Sequence, residues 1–227
     1  MTPQAPLPRR VFITGGTGYL GSRLIKELLS RGYGVQTLAR SRDAAKRLPV
    51  ECKVIVGNAL DSTSFADHVR PARTFVHLVG VTRPAPWKAR EFRNVDLVSA
   101  RAAIVAAQAA GIAHFVYVSV AQPAPVMKAF VRTRAECEGF IRTSGLHSTI
   151  LRPWYVIGSG HWWPVCLLPL YSLMKRFPAT RDTALRLELV TRKQMTGALL
   201  WAIEHPVQGI RVIDVPEIRR AGIRATG

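Results

Sequence analysis

The chain alternates between short apolar segments and segments whose apolar residues recur with a helical period. Six segments, RVFITGG, GVQTLAR, CKVIVGN, TFVHLVG, HFVYVSV and STILRP, are rich in β-branched and aromatic residues, as buried strands are. After the first of them, Leu20, Leu24 and Leu28 form one stripe of a helix that stops at Gly32. Strands alternating with helices predict an α/β fold, namely a Rossmann-type doubly wound parallel sheet.

The alternation breaks after the sixth strand. We expect a Rossmann-type domain over residues 9–153 and, integrated with it, a small C-terminal cap over residues 154–218. The cap would contain a mostly apolar segment, a strand in LRLELV, a helix over residues 192–205 and a last strand, IRVIDV. Residues 1–8 and 219–227 are expected to be flexible tails.

A glycine motif, TGGTGYLG, lies between the first strand and its helix. Gly15 permits the tight turn, Gly18 lets the backbone approach a pyrophosphate, and Gly21 allows close packing of the helix on the strand. The helix N-terminus then offers unpaired N–H groups and the positive end of its dipole to the anion. The same loop is expected to contact the dinucleotide through Thr17, Tyr19 and Leu20.

The residues after the second strand select between the two nicotinamide dinucleotides. A carboxylate there would bind the ribose 2′-hydroxyl of NAD, but the chain has Arg40 and Arg42 instead. A guanidinium can pair with a 2′-phosphate through two parallel hydrogen bonds. The sequence therefore favours NADP over NAD, against the simpler interpretation that both arginines are solvated surface residues.

Two further strand ends carry residues suited to the adenosine half. Asn58 can hydrogen-bond an adenine edge, whereas Asp61 is expected to cap the next helix. Gly80, without a side chain, lets ribose and pyrophosphate lie close to the backbone. Both positions follow strands, at the edge where such sheets bind ligands. The expected contacts at these ends are Asn58, Ala59, Val79, Gly80 and Val81.

Composition adds a constraint on partners. The formal charge of +18 favours anionic ligands or surfaces, although the arginines are spread along the chain and form no nucleic-acid motif. Cys52, Cys137 and Cys166 show no metal-ligand spacing, so no metal is expected. The unpaired cysteines and a first segment unlike a secretory signal favour a cytoplasmic protein. The sequence predicts no oligomeric state.

These motifs together resemble a family, the extended and atypical short-chain dehydrogenase/reductases. The nearest group is the NAD(P)H-binding one that includes NmrA-like regulators and related subunits of respiratory complex I. The resemblance covers roughly residues 9–160 and rests on TGGTGYLG, FRNVD, FVYVSV, ILRPWYVIGSG and GNALD. The last of these replaces the family's usual Gly-Asp-x-x-Asp.

The resemblance implies a catalytic arrangement from which this chain departs. In the family, a serine after the fifth strand polarises a substrate oxygen, and a Tyr-x-x-x-Lys pair on the next helix donates the proton and holds the nicotinamide ribose. Ser119 matches the serine, but Phe130 stands at the tyrosine position and Arg134 at the lysine position. Phe130 has no hydroxyl and Arg134 stays protonated. Cofactor binding therefore survives the departure, and the usual proton relay does not.

Other side chains are candidates near the nicotinamide. The family likeness places Pro153 and Val156 against it, and Tyr155 could offer a hydroxyl or simply pack. His161 is a substrate ligand or a surface residue. Lys128 does not share a helix face with Phe130, so it is expected to be solvated.

The apolar segment 161–176, with Trp162 and Trp163, admits three interpretations: a lid on a substrate pocket, an interfacial segment at an anionic membrane, or packing on the sheet. We expect the pocket, because the segment directly follows the sixth strand.

Three functions remain open at this level. The first is an NADP-linked oxidoreductase or epimerase-type enzyme acting on an apolar carbonyl or alcohol. The second is a non-catalytic dinucleotide-binding protein with a regulatory, assembly or structural role. The third is a basic protein that binds membrane surfaces or nucleic acid through its net charge.

Overall fold

The computed structural model describes residues 9–157 and 185–224 of the chain. Within these ranges the strands are β1 (Arg10–Thr14), β2 (Gly34–Ala39), β3 (Lys53–Val56), β4 (Thr74–His77), β5 (His114–Val118), β6 (Ser148–Arg152), β7 (Tyr155–Ile157), β8 (Leu189–Thr191) and β9 (Ile210–Asp214). A seven-stranded sheet has the order β3-β2-β1-β4-β5-β6-β9, and all of its pairings are parallel. Strands β7 and β8 form a separate parallel pair.

Helices connect the strands and cover both faces of the sheet. They are α1 (Gly21–Ser30), α2 (Arg42–Ala45), α3 (Ala89–Glu91), α4 (Val98–Ala110), α5 (Lys128–Thr143), α6 (Arg192–Glu204) and α7 (Val215–Arg224). A π-helical segment, Phe92–Leu97, joins α3 to α4, and two short 3₁₀ turns, Ser62–Ser64 and Ala66–His68, follow β3. Because the chain order reverses between β1 and β4, the switch point of the sheet lies there.

The core consists of two apolar layers, one on each side of the sheet. Alternate residues of a strand point to opposite faces, so Val11 and Ile13 enter one layer and Phe12 enters the other. The first layer includes Leu24, Ile25 and Leu28 of α1 together with residues of α6 and α7. The second layer joins the phenylalanines of the central strands to α4 and α5. The predicted doubly wound parallel sheet is therefore confirmed.

The described C-terminal elements join the main sheet. Strand β9 pairs with β6 at the edge of the main sheet, and α6 packs against α1, so these elements belong to the sheet itself. Apolar residues of both elements, among them Leu199 of α6 and Ile213 of β9, are buried in the core. Residues 219–224, expected to be part of a tail, continue α7.

Two smaller expectations also need comment. The segment after β3, predicted as one helix, forms two 3₁₀ turns, and the short helix α2 was not predicted. His161, Trp162, Trp163 and the whole segment 161–176 lie outside the described residues. Across the described ranges, none of the helices has both the length and the apolarity needed to cross a membrane.

Candidate functional site

The loop after β1 requires glycine at two positions. Gly15 has a φ of 80°, and a Cβ on it would lie 2.8 Å from the carbonyl carbon of Leu78, which follows β4. A Cβ on Gly21 would lie 2.6 Å from the Cα of Gly16. The turn is closed by the Gly18 N–H, which donates to the Gly15 carbonyl oxygen at 3.0 Å. The backbone of the loop after β1 therefore packs directly against the end of β4, at the switch point of the sheet.

The start of α1 is left open to a ligand. Leu20, the residue before the helix, makes no side-chain cap, and the first turn contains no acidic residue. Thr17 and Gly18 are exposed, whereas Leu20 packs partly against the core. Tyr19 lies under the guanidinium of Arg192, 4.9 Å from the ring centroid. The loop therefore presents backbone N–H groups and the positive end of a helix dipole to the edge of the sheet.

Two arginines follow β2, as the sequence indicates. Arg40 and Arg42 are exposed, and neither forms an ion pair with a described residue. Arg42 begins α2, whose start is capped by the Ser41 hydroxyl, the acceptor of the Ala44 N–H at 3.2 Å. The only carboxylate in this helix, Asp43, is paired with Lys46 at 2.8 Å. The end of β2 is positively charged and accessible.

The loop after β3 is built by its own side chains. The Asn58 side-chain oxygen accepts from the Leu60 N–H at 3.0 Å, so only the amide nitrogen of that group remains to donate to a ligand. Ser64 ties the loop by donating to the carbonyl oxygens of Asn58 and Asp61. Asp61 caps the next turn by accepting the Thr63 N–H at 3.0 Å, as the sequence predicts.

The loop after β4 is attached to a buried ion pair. The Val81 N–H donates to Asp96 Oδ2 at 3.1 Å, and Asp96 Oδ1 lies 2.5 Å from Arg134 Nη2. A Cβ on Gly80 would lie 3.1 Å from Asp96 Oδ1 and would overlap the Arg134 guanidinium. Glycine at this position thus makes room for a protein side chain, a role that the sequence did not indicate.

Arg134 is held on several sides at the end of β5. Its Nη1 donates to the Tyr117 hydroxyl at 3.1 Å and to the Val118 carbonyl oxygen at 2.9 Å. Its Cζ lies 5.7 Å from the ring centroid of Tyr117 and 5.2 Å from that of Phe130. Only 8% of Arg134 is exposed, so it reaches Asp96 and these rings and offers little surface to a ligand.

The charges of this ion pair follow from its surroundings. Burial alone would lower the pKa of Arg134, but Tyr117 and Asp96 favour the charged form and raise the pKa overall. Burial raises the pKa of Asp96, while the Arg134 guanidinium and the Val81 N–H oppose that rise. At 2.5 Å from a permanently charged guanidinium, the Asp96 side chain is an ionised carboxylate.

His77 lies beneath this pair as a neutral core residue. Its Nδ1 is 2.8 Å from Thr14 Oγ1, its Nε2 is 3.4 Å from Ser99 Oγ, and its ring stacks on Tyr117. Burial, followed by the charge of Arg134, lowers the pKa of His77 to about 3. The expectation that His77 serves packing agrees with this environment.

Ser119 lies close to Arg134 but makes different contacts. Its hydroxyl donates to Glu138 Oε1 at 2.6 Å. The buried Glu138 also accepts from Gln122 at 2.7 Å and from Arg152 at 2.9 and 2.6 Å. The Ser119 hydroxyl therefore already uses its one donor hydrogen, and its oxygen remains able to accept a hydrogen bond. Its catalytic role, implied by the family likeness, stays a prediction.

The remaining predicted residues lie next to these groups. Phe130 is half-buried, with its ring centroid 5.0 Å from that of Phe92, and its ring contributes no proton donor. The Pro153 carbonyl oxygen accepts from the Ala121 N–H at 2.9 Å, which extends the pairing of β5 with β6. Tyr155 and Val156 belong to β7, where Tyr155 packs against a small apolar cluster that includes Leu189.

Ser119, Phe130 and Arg134 thus lie near the end of β5, and their role in a site stays a prediction. Sequence reasoning missed the groups that hold them: Tyr117, Asp96, Glu138 and Arg152. The one signal for the two acids was that both lie within predicted helices, and the structure buries them there. Among the described residues, no cluster of three His, Cys, Asp or Glu side chains is suited to a metal.

Comparisons with known proteins agree with this geometry. A family model described as NAD(P)H-binding matches residues 15–158. A ceramide reductase of Caulobacter vibrioides is 26% identical over 214 residues, which are 93% of this chain and 66% of that protein. A 4-hydroxy-2-methyl-3-oxo-4-farnesyl-3,4-dihydroquinoline-1-oxide ketoreductase of Stigmatella aurantiaca is 25% identical over 171 residues, which are 66% of this chain and 51% of that protein.

Solved structures share the fold. The Bordetella bronchiseptica enzyme WbmH, solved in complex with NAD⁺, superposes with a TM-score of 0.67 at 18% identity, over 91% of this chain and 75% of that one. The chain spans about half to two thirds of the length of the curated relatives described above. Since the matched family model covers more than half of the chain, the protein belongs to the family described as NAD(P)H-binding.

Proposed function

We propose that the protein binds NADP(H) along the carboxyl edge of the sheet. The observation that carries this proposal is the glycine loop at the switch point, with an uncapped helix start beside two exposed arginines after β2. In this proposal the N–H groups around Gly15, Gly18 and Gly21 hold the pyrophosphate. Arg40 and Arg42 pair with the 2′-phosphate, which NAD lacks.

The rest of the dinucleotide is assigned by position along the same edge. The Asn58 amide nitrogen donates to the adenine, with Ala59 beside it. The backbone of Val79–Val81 follows the adenine-side ribose and the pyrophosphate. Pro153 and Val156 lie at the nicotinamide end, close to Ser119 and Phe130. The buried Arg134 contributes positive charge near this end without reaching out of the protein.

The reaction that we propose is the reduction of an apolar carbonyl. The bound nicotinamide would supply the hydride. Two matched relatives are reductases by name, which supports this class of reaction. The chain has a phenylalanine where the family's tyrosine would donate the proton. The Ser119 hydroxyl already donates its hydrogen bond to Glu138. The proton for the product therefore comes from water or from Tyr155, and turnover is slow.

A second candidate function is a dinucleotide-binding protein without catalysis. The groups at the end of β5 that could act on a substrate are held by other protein groups: Arg134 by Asp96, and Ser119 by Glu138. A regulatory or assembly role needs binding alone, and these contacts leave the phosphate loop untouched. Activity measurements separate the two candidates.

The first experiment tests binding and selectivity. We titrate NADPH and NADH against the protein, Arg40→Ala and, as a matched control, Arg47→Ala, which removes another exposed arginine of the same region. Because Arg40→Ala loses a charged hydrogen bond to the 2′-phosphate, it should bind NADPH about 10- to 100-fold more weakly and bind NADH with unchanged affinity. Equal losses for both dinucleotides would reject Arg40 as the selector. No binding of either dinucleotide to the unaltered protein would reject the proposal.

The second experiment tests the missing proton donor. Phe130→Tyr adds one oxygen to a ring whose space already exists, and Phe130→Leu serves as the control without a hydroxyl. With NADPH and a panel of apolar ketones, Phe130→Tyr should raise turnover, since a positioned general acid contributes about 10²–10⁴-fold. Absence of turnover in both the protein and Phe130→Tyr, despite tight NADPH binding, favours the non-catalytic candidate. Brisk turnover that Phe130→Tyr does not change contradicts our placement of Phe130.

A further inference from the structure

An exposed tryptophan lies at the carboxyl edge of the sheet, outside the site described above. Trp87 is 82% exposed, in a short turn between β4 and α3. This turn contacts α5, so the segments after β4 and before α5 lie side by side. Val126, two residues before α5, is 55% exposed. Contact with an apolar partner would remove the surface of both side chains from water, which is favourable.

Cations surround these apolar residues. Arg83 and Arg90 flank Trp87 in sequence, and Lys128 and Arg132 lie on one face of the first turns of α5, four residues apart. All four are exposed, and none forms an ion pair with a described residue. The nearby acids are already paired, Glu91 with Lys88 at 3.3 Å and Glu136 with Arg93 at 3.6 Å. The turn of Trp87 and the start of α5 therefore supply exposed apolar side chains together with cations that no described acid neutralises.

We propose that this Trp87 surface, made of Arg83, Trp87, Arg90, Val126, Lys128 and Arg132, docks on an anionic lipid membrane. Tryptophan is enriched at the level of lipid headgroups, where its ring is apolar and its N–H is hydrated. Arginine and lysine side chains near the tryptophan are attracted electrostatically to anionic lipids. This attraction acts only within about a Debye length of the membrane surface. The combination matches the chemistry of an interfacial contact rather than that of a spanning segment.

The alternative partner is a nucleic acid, which also combines cations with aromatic rings. Single-strand binders stack successive bases on several aromatic platforms. In the described part of this surface, Trp87 is the only large aromatic side chain that is exposed, and its apolar companion is the aliphatic Val126. An aliphatic group gains from lipid and offers no stacking face to a base. The membrane is therefore the better match.

The surface also gives the docked protein an orientation. The turn of Trp87 and the start of α5 both follow strand ends, as do Ser119 and Pro153. Docking would thus turn the carboxyl edge of the sheet toward the bilayer. This inference does not depend on the dinucleotide proposal, because lipid binding is measured without any cofactor.

The test is co-sedimentation of the full chain with vesicles of phosphatidylcholine alone and of phosphatidylcholine mixed with phosphatidylglycerol, at low salt and at about 150 mM salt. We expect binding to the anionic vesicles only, retained in part at the higher salt because Trp87 and Val126 contribute an apolar contact. Trp87→Ser should lower the partition coefficient about tenfold. Lys128→Glu with Arg132→Glu should lower it at least as much.

Matched controls separate this surface from the general charge of the protein. Arg10→Glu with Arg73→Glu makes the same charge change at the opposite edge of the sheet, and Val50→Ser removes an apolar side chain that is 97% exposed. Both controls should bind like the unaltered protein. Equal loss in Arg10→Glu/Arg73→Glu and in Lys128→Glu/Arg132→Glu would overturn the proposal, as would failure to bind anionic vesicles. Trp87-dependent binding to oligo-dT without vesicle binding would assign the surface to nucleic acid instead.

Discussion

At the end of β1 the edge of the sheet is lined by backbone and glycine, whereas at the end of β5 it is lined by charged side chains that bind one another. Gly15 and Gly21 admit no Cβ, and the N–H groups beside them have no side-chain cap. Arg134 and Glu138, one turn apart on α5, are each held by protein groups, Arg134 by the buried Asp96 and Glu138 by the buried Ser119 and the half-buried Arg152. The first region is shaped for a ligand, and the second is satisfied without one.

Dinucleotide binding and catalysis have different structural requirements in this protein. Dinucleotide binding depends on where the backbone runs, which the glycines and the fold secure. Hydride chemistry additionally needs a side chain with an available proton near the nicotinamide. The proposed site keeps the backbone shape needed for dinucleotide binding, but its side chains at the end of β5 bind one another. Substitutions at the glycine loop should therefore alter binding, and substitutions at the end of β5 should alter stability or turnover.

The largest expected effect comes from breaking the buried ion pair. Asp96→Ala leaves the Arg134 guanidinium unpaired and the Val81 N–H without its acceptor. Removing one partner of a buried ion pair typically costs about 3–5 kcal/mol in the free energy of unfolding. Urea unfolding measures this loss. The double variant Asp96→Leu/Arg134→Met should recover much of it, and a single variant as stable as the parent would show that the pair is not buried in solution.

A smaller effect, on binding rather than on stability alone, is expected at the glycine loop. Gly21→Ala forces the backbone around Gly16 to shift, which should weaken NADPH binding about hundredfold, or about 2.7 kcal/mol. The control is Gly139→Ala on α5, where a Cβ meets nothing within 4 Å. It should leave NADPH binding unchanged and stabilise the helix by about 0.5–1 kcal/mol. Calorimetric titration and thermal unfolding test both variants, and unchanged NADPH affinity in Gly21→Ala contradicts the assignment of this loop.

Ser119→Ala should have a moderate effect on stability and none on NADPH binding. The substitution removes one donor from the buried Glu138, which keeps Gln122 and Arg152. A hydrogen bond to a charged group contributes about 1.5–3 kcal/mol, and the partners that remain place the loss at the lower end. Urea unfolding and NADPH titration measure the two quantities. A large loss of turnover with unchanged stability would instead indicate that Ser119 acts on the substrate.

The smallest effect concerns pH and two buried histidines, His77 at the end of β4 and His114 at the start of β5. Burial lowers the pKa of His77 to about 3 and that of His114 to about 4, from 6.5 in the unfolded chain. The unfolded chain therefore binds more protons, and the stabilising contribution of each neutral histidine is lost as the pH falls below 6.5. Between about pH 7.5 and 5.5, each should remove about 1 kcal/mol of stability.

The matched variant for this measurement is His77→Gln, which keeps a hydrogen-bonding partner for Thr14. Comparing urea midpoints of the protein and the variant across the same pH range cancels the contributions of acids such as Asp214, whose pKa burial raises. The variant should lose less stability on acidification than the protein does. Parallel pH profiles for both would mean that His77 is not a neutral buried group.

Local sequence patterns predict much of the fold. Apolar strands, helical stripes and the motif TGGTGYLG predicted the parallel sheet, the loop at its switch point and the arginines after β2. These predictions succeed because strand, helix and tight-turn preferences are local, and because parallel strands bring their ends to one edge. The C-terminal elements were harder, since the sequence does not state that β9 crosses back to pair with β6.

Local sequence patterns therefore predict the course of the backbone, a doubly wound parallel sheet with a glycine loop after its first strand. The packing of distant elements shows that Arg134 turns inward to Asp96, that Gly80 makes room for it, and that the Ser119 hydroxyl donates a hydrogen bond to Glu138. Each of these contacts joins residues far apart in the chain. Long-range pairing of buried charges depends on packing between elements, which no local pattern records.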